Sequence, residues 1–319
     1  MIENLAIVLL VFLGQLGIVS TDQNDVNFLT KFIKSESIEE RVVSEKSNWN
    51  YYNENLKLES KLYSLPDMIG DSYIEIDSQS AIAFDVETDF VLYSKNSHEK
   101  MPIASLTKIM TALVVLENSN LGDSVVISEN AFQTEGRKEG LSVGEKISVE
   151  NLLQIMIVGS NNIAATAFAE HIGGNVDNFA ELMNKKAQSL GLKDTVFYNP
   201  TGLDQRNNNT STAFDIVQLV DFALDSPLLW EYSRMQNISV SSLDGRLYHN
   251  VKNTNLLLGR VENIVGGKTG FTDEAGECLM LILNKPEENR KIITVVLNAN
   301  DRFVQTERLK NWVFENYEW

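Results

Sequence analysis

The sequence predicts an α+β fold in which a sheet is flanked by helices. Two observations carry this. Short β-rich runs stand at both ends of the region that begins near Ser80: residues 81–85 and 90–93 at one end, 278–283 and 292–297 at the other. Between them, apolar residues recur at helical spacing, as in Phe179, Leu182, Met183, Ala187 and Leu190. With 319 residues and 43% hydrophobic content, the chain can bury a sizeable core in one large domain or two.

Taken in order, residues 5–19 are apolar apart from Gly14, Gln15 and Gly17. That is long for a signal-peptide core and slightly short for a membrane span, which needs about 17–25 residues. Glu3 is the only charged side chain before the run, so the basic flank of a secretory signal is missing, and no A-x-A-like site follows. Residues 1–20 therefore read as an uncleaved hydrophobic anchor, with a cleaved signal as the alternative. Residues 21–71 mix charges of both signs with Asn and Ser and hold only short apolar clusters such as Phe28-Leu29, the composition of a polar spacer. A globular domain is expected over 72–319. It opens with a β-hairpin turning at 86–89. Pro102 cannot sit inside a helix, so the next helix is expected to start near Ala104 or Ser105, and its apolar run 109–116 suits burial. Thr212-x-x-Asp215 resembles a capping box that opens a further helix. The last two strands are expected to pair antiparallel across a turn at 286–289. A closing helix would set Leu309, Trp312, Val313 and Tyr317 on one face.

Composition excludes several classes of function. A net charge of −17 argues against a nucleic-acid binder, and against attraction to an anionic membrane surface, so membrane contact should be hydrophobic. The one cysteine, Cys278, excludes an internal disulfide and a multi-cysteine metal site. Its apolar neighbours mark it as a small buried hydrophobe in a strand. The three histidines, His98, His171 and His249, lack H-E-x-x-H spacing, so zinc hydrolysis has no ligand set and each reads as structural or surface.

The chemistry concentrates in Ser105-Leu106-Thr107-Lys108. A serine and a lysine three residues apart on a helix share a face, and the serine stands at the positive end of the helix dipole. A serine hydroxyl becomes a good nucleophile when a base takes its proton, and an amine kept neutral by burial can do so. Alone, the stretch also fits an N-cap serine with a solvated lysine. Ser160-Asn161-Asn162 alone fits a capping turn, and Lys268-Thr269-Gly270 alone fits a surface turn. In this order and at this spacing the three form the S-x-x-K, S-x-N, K-T-G set of penicillin-binding proteins and β-lactamases. Together with Phe197-Tyr198-Asn199-Pro200-Thr201-Gly202-Leu203, Ser211-Thr212-Ala213-Phe214-Asp215 and the stretch 266–276, they make residues 80–312 similar to the serine-type D-alanyl-D-alanine carboxypeptidases, the low-molecular-mass penicillin-binding proteins.

That resemblance implies a β-lactamase-like transpeptidase fold and acyl transfer without metal or organic cofactor. Ser105 would be the nucleophile and Lys108 the general base, its pKa depressed by burial and by the charge of Lys268. Ser160 would relay a proton towards the leaving D-alanine, and Asn162 would fix Lys108 and the substrate backbone. Lys268 and Thr269, on an edge strand, would bind the terminal carboxylate, and Gly270 would leave room for the peptide. The family's oxyanion hole corresponds to the backbone N–H groups of Ser105 and Phe271. The family often has His or Tyr at that last position; Phe271 keeps the backbone donor and removes the polar tip. Arg302 would assist carboxylate binding or stand as a surface arginine. The implied partners are peptidoglycan stem peptides ending in D-Ala-D-Ala, covalent β-lactams, and the membrane through the N-terminal segment. No E-x-x-L-N stretch lies between the second and third motifs, where class A β-lactamases carry their deacylating glutamate. A peptidase acylated by penicillin is thus expected rather than a drug-destroying enzyme. No residues follow Trp319 to form the C-terminal β-domain and tail of many relatives, which favours the N-terminal anchor and an extracytoplasmic location in the cell envelope. The expected activity is DD-carboxypeptidase. The alternatives are a DD-endopeptidase and a penicillin-binding sensor with little turnover; intact Lys108, Ser160 and Asn162 argue against the sensor.

Overall fold

The computed structural model describes residues 65–70, 73–204, 206–285 and 290–319. The expected anchor 1–20, the spacer as far as residue 64, and the turn 286–289 lie outside the described residues. The chain divides into Met1–Leu62 and Tyr63–Trp319, and the second unit is described below. Among the described residues no helix is long and apolar enough to cross a membrane.

The chain enters through a two-residue strand, β1 (Asp67–Met68), and runs into the hairpin β2 (Ser78–Asp85) and β3 (Phe90–Lys95). A short β4 (Met101–Pro102) leads to a 3-10 turn, Ala104–Leu106, and helix α1 (Thr107–Asn118). The α-helix thus begins two residues beyond Ser105, because the serine belongs to the tighter turn in front of it. Next come β5 (Ser124–Val126), α2 (Glu129–Phe132) and β6 (Lys146–Ser148), then α3 (Val149–Val158), α4 (Asn162–Gly173) and α5 (Val176–Ser189). Side-chain oxygens of Ser148, Asn161 and Asn175 cap these three helices, each accepting from a backbone N–H three residues on. β7 (Thr210–Ser211) pairs with β4 and precedes α6 (Ala213–Ala223) and α7 (Pro227–Ser233). Thr212 Oγ1 caps α6 by accepting from Asp215 N at 2.9 Å. Only that half of the expected box forms, because the Asp215 carboxylate turns instead to Asp194 N and Thr195 Oγ1.

The hairpin β8 (Asn237–Ser241) and β9 (Tyr248–Lys252) leads to three long strands, β10 (Ile264–Thr272), β11 (Gly276–Lys285) and β12 (Arg290–Ala299). Helix α8 (Arg302–Asn316), capped by Asp301, closes the domain with β13 (Tyr317–Glu318), which pairs with β1. Tyr317 therefore lies in a strand rather than on the helix, although it is buried with Leu309 and Val313 as the expected face requires.

Among the described residues five strands form one antiparallel sheet in the order β10-β11-β12-β2-β3, which leaves β10 at an edge. Both faces are covered, so the central strands read as continuous apolar runs. Alternation splits them: Ile82, Met280, Ile282, Ile293 and Val295 join the helical core, whereas Ala81, Ala83, Ile292 and Val296 pack under α8 with Leu309 and Val313. Each fully buried Leu, Ile, Val or Phe adds on the order of 1.5–3 kcal/mol. The α+β architecture is the expected one. Its consequence for chemistry is local: the edge strand β10 runs past the turn that carries Ser105.

Candidate active site

Lys108, in the first turn of α1, is fully buried. Its Nζ lies 2.9 Å from Ser105 Oγ, 2.7 Å from Asn162 Oδ1 and 2.6 Å from the Thr201 carbonyl oxygen. The last two oxygens can only accept. A neutral amine has two N–H bonds and one lone pair. With both N–H bonds taken by Asn162 and Thr201, the lone pair faces Ser105 Oγ and can receive its proton. Burial, and then the positive charge of Lys268, pushes the Lys108 ammonium well below its usual range, so the neutral form is accessible.

The Ser105 turn is gripped from two sides. Ala104 has φ +45°, a left-handed conformation that costs a non-glycine residue on the order of 1–3 kcal/mol and persists only where neighbours fix it. Gly202, at φ +80°, supplies one such neighbour: a Cβ there would fall 1.9 Å from the Ala104 carbonyl oxygen. Gly270 supplies the other, since its Cβ would come 3.1 Å from Ile103 O and 3.2 Å from Ser105 N. A side chain at the glycine of K-T-G would thus crowd the backbone of the Ser105 turn.

Ser160, also left-handed at φ +56°, accepts from Lys268 Nζ at 2.7 Å. Lys268 is buried, and desolvation followed by the charge of Arg302 lowers its pKa to about 7. Asn161 caps α4, so Asn162 begins the helix, with its Oδ1 on Lys108 and its Nδ2 donating to Glu135 O at 2.8 Å. Thr269 Oγ1 lies 2.5 Å from Thr254 Oγ1. Arg302, the first residue of α8, donates from Nη1 to Gly270 O at 2.7 Å. Ser105, Lys108, Ser160, Asn162, Lys268, Thr269, Gly270 and Arg302 therefore converge, while the Phe271 side chain stands 58% exposed at the strand edge.

A family described as D-alanyl-D-alanine carboxypeptidase, peptidase S11, matches residues 67–301. The chain belongs to this family. It is 34% identical over 251 residues to the D-alanyl-D-alanine carboxypeptidase DacF of Bacillus subtilis, a match covering 76% of this chain and 63% of that protein. It is 36% identical over 247 residues to a D-alanyl-D-alanine endopeptidase of Pseudomonas aeruginosa, covering 75% of this chain and 78% of that one. The fold is similar to the crystal structure of a Mycobacterium tuberculosis D-alanyl-D-alanine carboxypeptidase, with TM-score 0.71, 26% identity, and 78% and 96% of the two chains covered. It is also similar to penicillin-binding protein D2 of Listeria monocytogenes in its cefotaxime-bound form, with TM-score 0.64, 28% identity, and 76% and 100% covered.

Two contributors to this candidate site had no role in the sequence reading: the carbonyl oxygens of Thr201 and Glu135. Backbone acceptors leave no side-chain signal. The available clue was Gly202, which fixes the Thr201 stretch against the Ser105 turn. Asn199 braces that stretch, its Oδ1 accepting from Thr201 N, Thr201 Oγ1 and Gly202 N.

Proposed function

We propose that the chain is a serine D-Ala-D-Ala carboxypeptidase that trims peptidoglycan stem peptides through an acyl-Ser105 intermediate. The observation that carries this is the Lys108 amine, held 2.9 Å from Ser105 Oγ with two carbonyl oxygens occupying its other directions. Lys108 takes the Ser105 proton as Oγ attacks the carbonyl carbon of the penultimate D-alanine. The C–N bond breaks; Ser160 passes a proton to the departing amine and recovers one from Lys268. In deacylation, water attacks the ester, its proton passes through Ser160 to neutral Lys268, and Lys108 returns its proton to Ser105 Oγ. Lys268 and Arg302 are the cations at hand for the terminal carboxylate. A β-lactam forms the same ester by ring opening, leaving Ser105 covalently blocked. The substrate puts the enzyme on the outer face of the cell envelope, with residues 1–20 as its tether.

A second reading, DD-endopeptidase, is supported by the 36% identity to the Pseudomonas aeruginosa endopeptidase over 78% of that protein. The chemistry is the same, and the leaving amine then belongs to a cross-linked peptide. The test is to incubate the full chain with a diacyl-D-Ala-D-Ala peptide and with a cross-linked muropeptide dimer, beside Ser105→Ala. Release of D-alanine that disappears in the variant supports carboxypeptidase action. Dimer cleavage without D-alanine release moves the assignment to endopeptidase, and neither reaction sinks both.

A further inference from the structure

The loop between α2 and β6 presents three carbonyl groups on alternate residues, each facing a side-chain nitrogen. Glu135 O accepts from Asn162 Nδ2 at 2.8 Å, Arg137 O accepts from Asn161 Nδ2 at 2.8 Å, and Glu139 O lies 3.2 Å from His249 Nδ1. The first two bonds hold the second motif, and the third ties the loop to β9. Glu139 is left-handed at φ +48°, and its Oε2 lies 3.2 Å from Asn161 Nδ2. Such a backbone needs its surroundings to fix it.

His249 is 1% exposed, and its Nε2 lies 2.6 Å from Glu145 Oε1, whose side chain is also 1% exposed. The Glu139 carbonyl and an ionised Glu145 can only accept, so this pair of partners favours the imidazolium form, in which both ring nitrogens donate. The hydrogen bond to Glu145 outweighs burial and raises the ring's pKa. The charged groups facing the ring are Glu145 and Glu139, and Arg137 lies near Glu139. The paired strand β8 has no titratable residue, and Glu150, the one acid of α3, is bound to Tyr232 Oη at 3.1 Å.

We propose that His249 is a positioning residue: as an imidazolium locked on Glu145, it holds the Glu139 carbonyl and thereby the loop that fixes Asn161 and Asn162 beside Lys108. The proposal rests on the acyl-transfer reading of that site. When the ring loses a proton, the carboxylate keeps the one on Nε2, being the stronger acceptor. Nδ1 then turns a lone pair towards Glu139 O, and the loop loses its tie. In Glu145→Gln the new amide can donate to Nε2, so Nδ1 keeps its proton and the tie survives without charge.

The test measures Ser105 acylation by a fluorescent penicillin between pH 6 and 9 in the full chain, in His249→Phe and in Glu145→Gln. Nitrogen NMR of the three histidines accompanies it, His249 being the signal missing from His249→Phe. The rate constant of the labelled fraction in His249→Phe should fall about ten- to a hundredfold, as for a misplaced catalytic group. A merely structural role would lower the labelled fraction and leave that rate constant alone. The ratio of wild-type to Glu145→Gln rates should fall with pH along the ring's titration, a comparison that cancels the titration of Lys268. An unchanged rate constant in His249→Phe, a flat ratio, or a ring with one N–H at pH 6 overturns the proposal. If His249→Phe does not fold, the ratio decides. If wild-type Ser105 is not acylated at all, the acyl-transfer reading fails. The Asn162 side-chain amide signals then decide the positioning, supporting it if Glu145→Gln leaves them in place at pH 9 while the wild type shifts, and overturning it if both behave alike.

Discussion

Two buried amines within one site give the protein an unusual pH response. The pKa of Lys268 falls from its usual 10.5 to about 7 on folding. Between those values the unfolded chain holds the proton and the folded chain does not, so stability rises with pH across that window. One such group contributes a slope of at most about 1.4 kcal/mol per pH unit. His249 acts oppositely: its pKa is raised by folding, so its contribution is present at low pH and lost as pH climbs through the folded value. Comparing wild type with Lys268→Met isolates the first effect. Urea unfolding at pH 7 and pH 9 should show the variant gaining less stability, or losing more, than wild type over that interval. Equal changes would contradict the burial of a neutral Lys268. The same burial explains what the sequence could show of these residues. Lys108 and Lys268 were recognisable as chemistry because their motifs occur in order, but the oxygens that consume the Lys108 N–H bonds belong partly to backbone distant in sequence.

At the scale of elements, the Ser105 turn is made by packing rather than by its own preferences. Pro102 correctly marked where a helix could begin, yet it could not show that Ser105 would occupy a 3-10 turn after a left-handed Ala104. Gly202, from another loop, and Gly270, from β10, lie close against that turn. Gly202→Ala adds a methyl group 1.9 Å from the Ala104 carbonyl and strains a backbone at φ +80°. The variant should lose about 1–3 kcal/mol of stability, read as a lower melting temperature, together with slower penicillin labelling of Ser105. Labelling and melting equal to wild type would mean the loop does not brace the nucleophile. Elements with strong local periodicity were more legible. The runs read at 278–283 and 292–297 are the interiors of β11 and β12, and Phe179, Met183 and Ala187 are buried along α5. Tyr317 is buried with Leu309 and Val313 yet lies in β13, which pairs with β1 from the opposite end of the domain, a contact that helical spacing does not reveal.

Across the whole molecule, the sheet and the helical layer meet where the motifs lie. The edge strand brings Lys268, Thr269 and Gly270, α1 brings Lys108, and the start of α4 brings Asn162. The α+β class was legible because short, continuous apolar runs at both ends contrast with helical spacing between them. Strand order was not, since it depends on which distant runs pair. The central claim is that this convergence makes Ser105 the acyl carrier with Lys108 as its base. The most direct measurement treats the full chain and Lys108→Ala with penicillin, then follows intact mass and maps the labelled peptide. A single penicilloyl adduct on Ser105 in wild type, formed roughly 10²–10⁴-fold more slowly in Lys108→Ala, is the predicted result. No adduct, an adduct on another residue, or equal rates in the two proteins would contradict it.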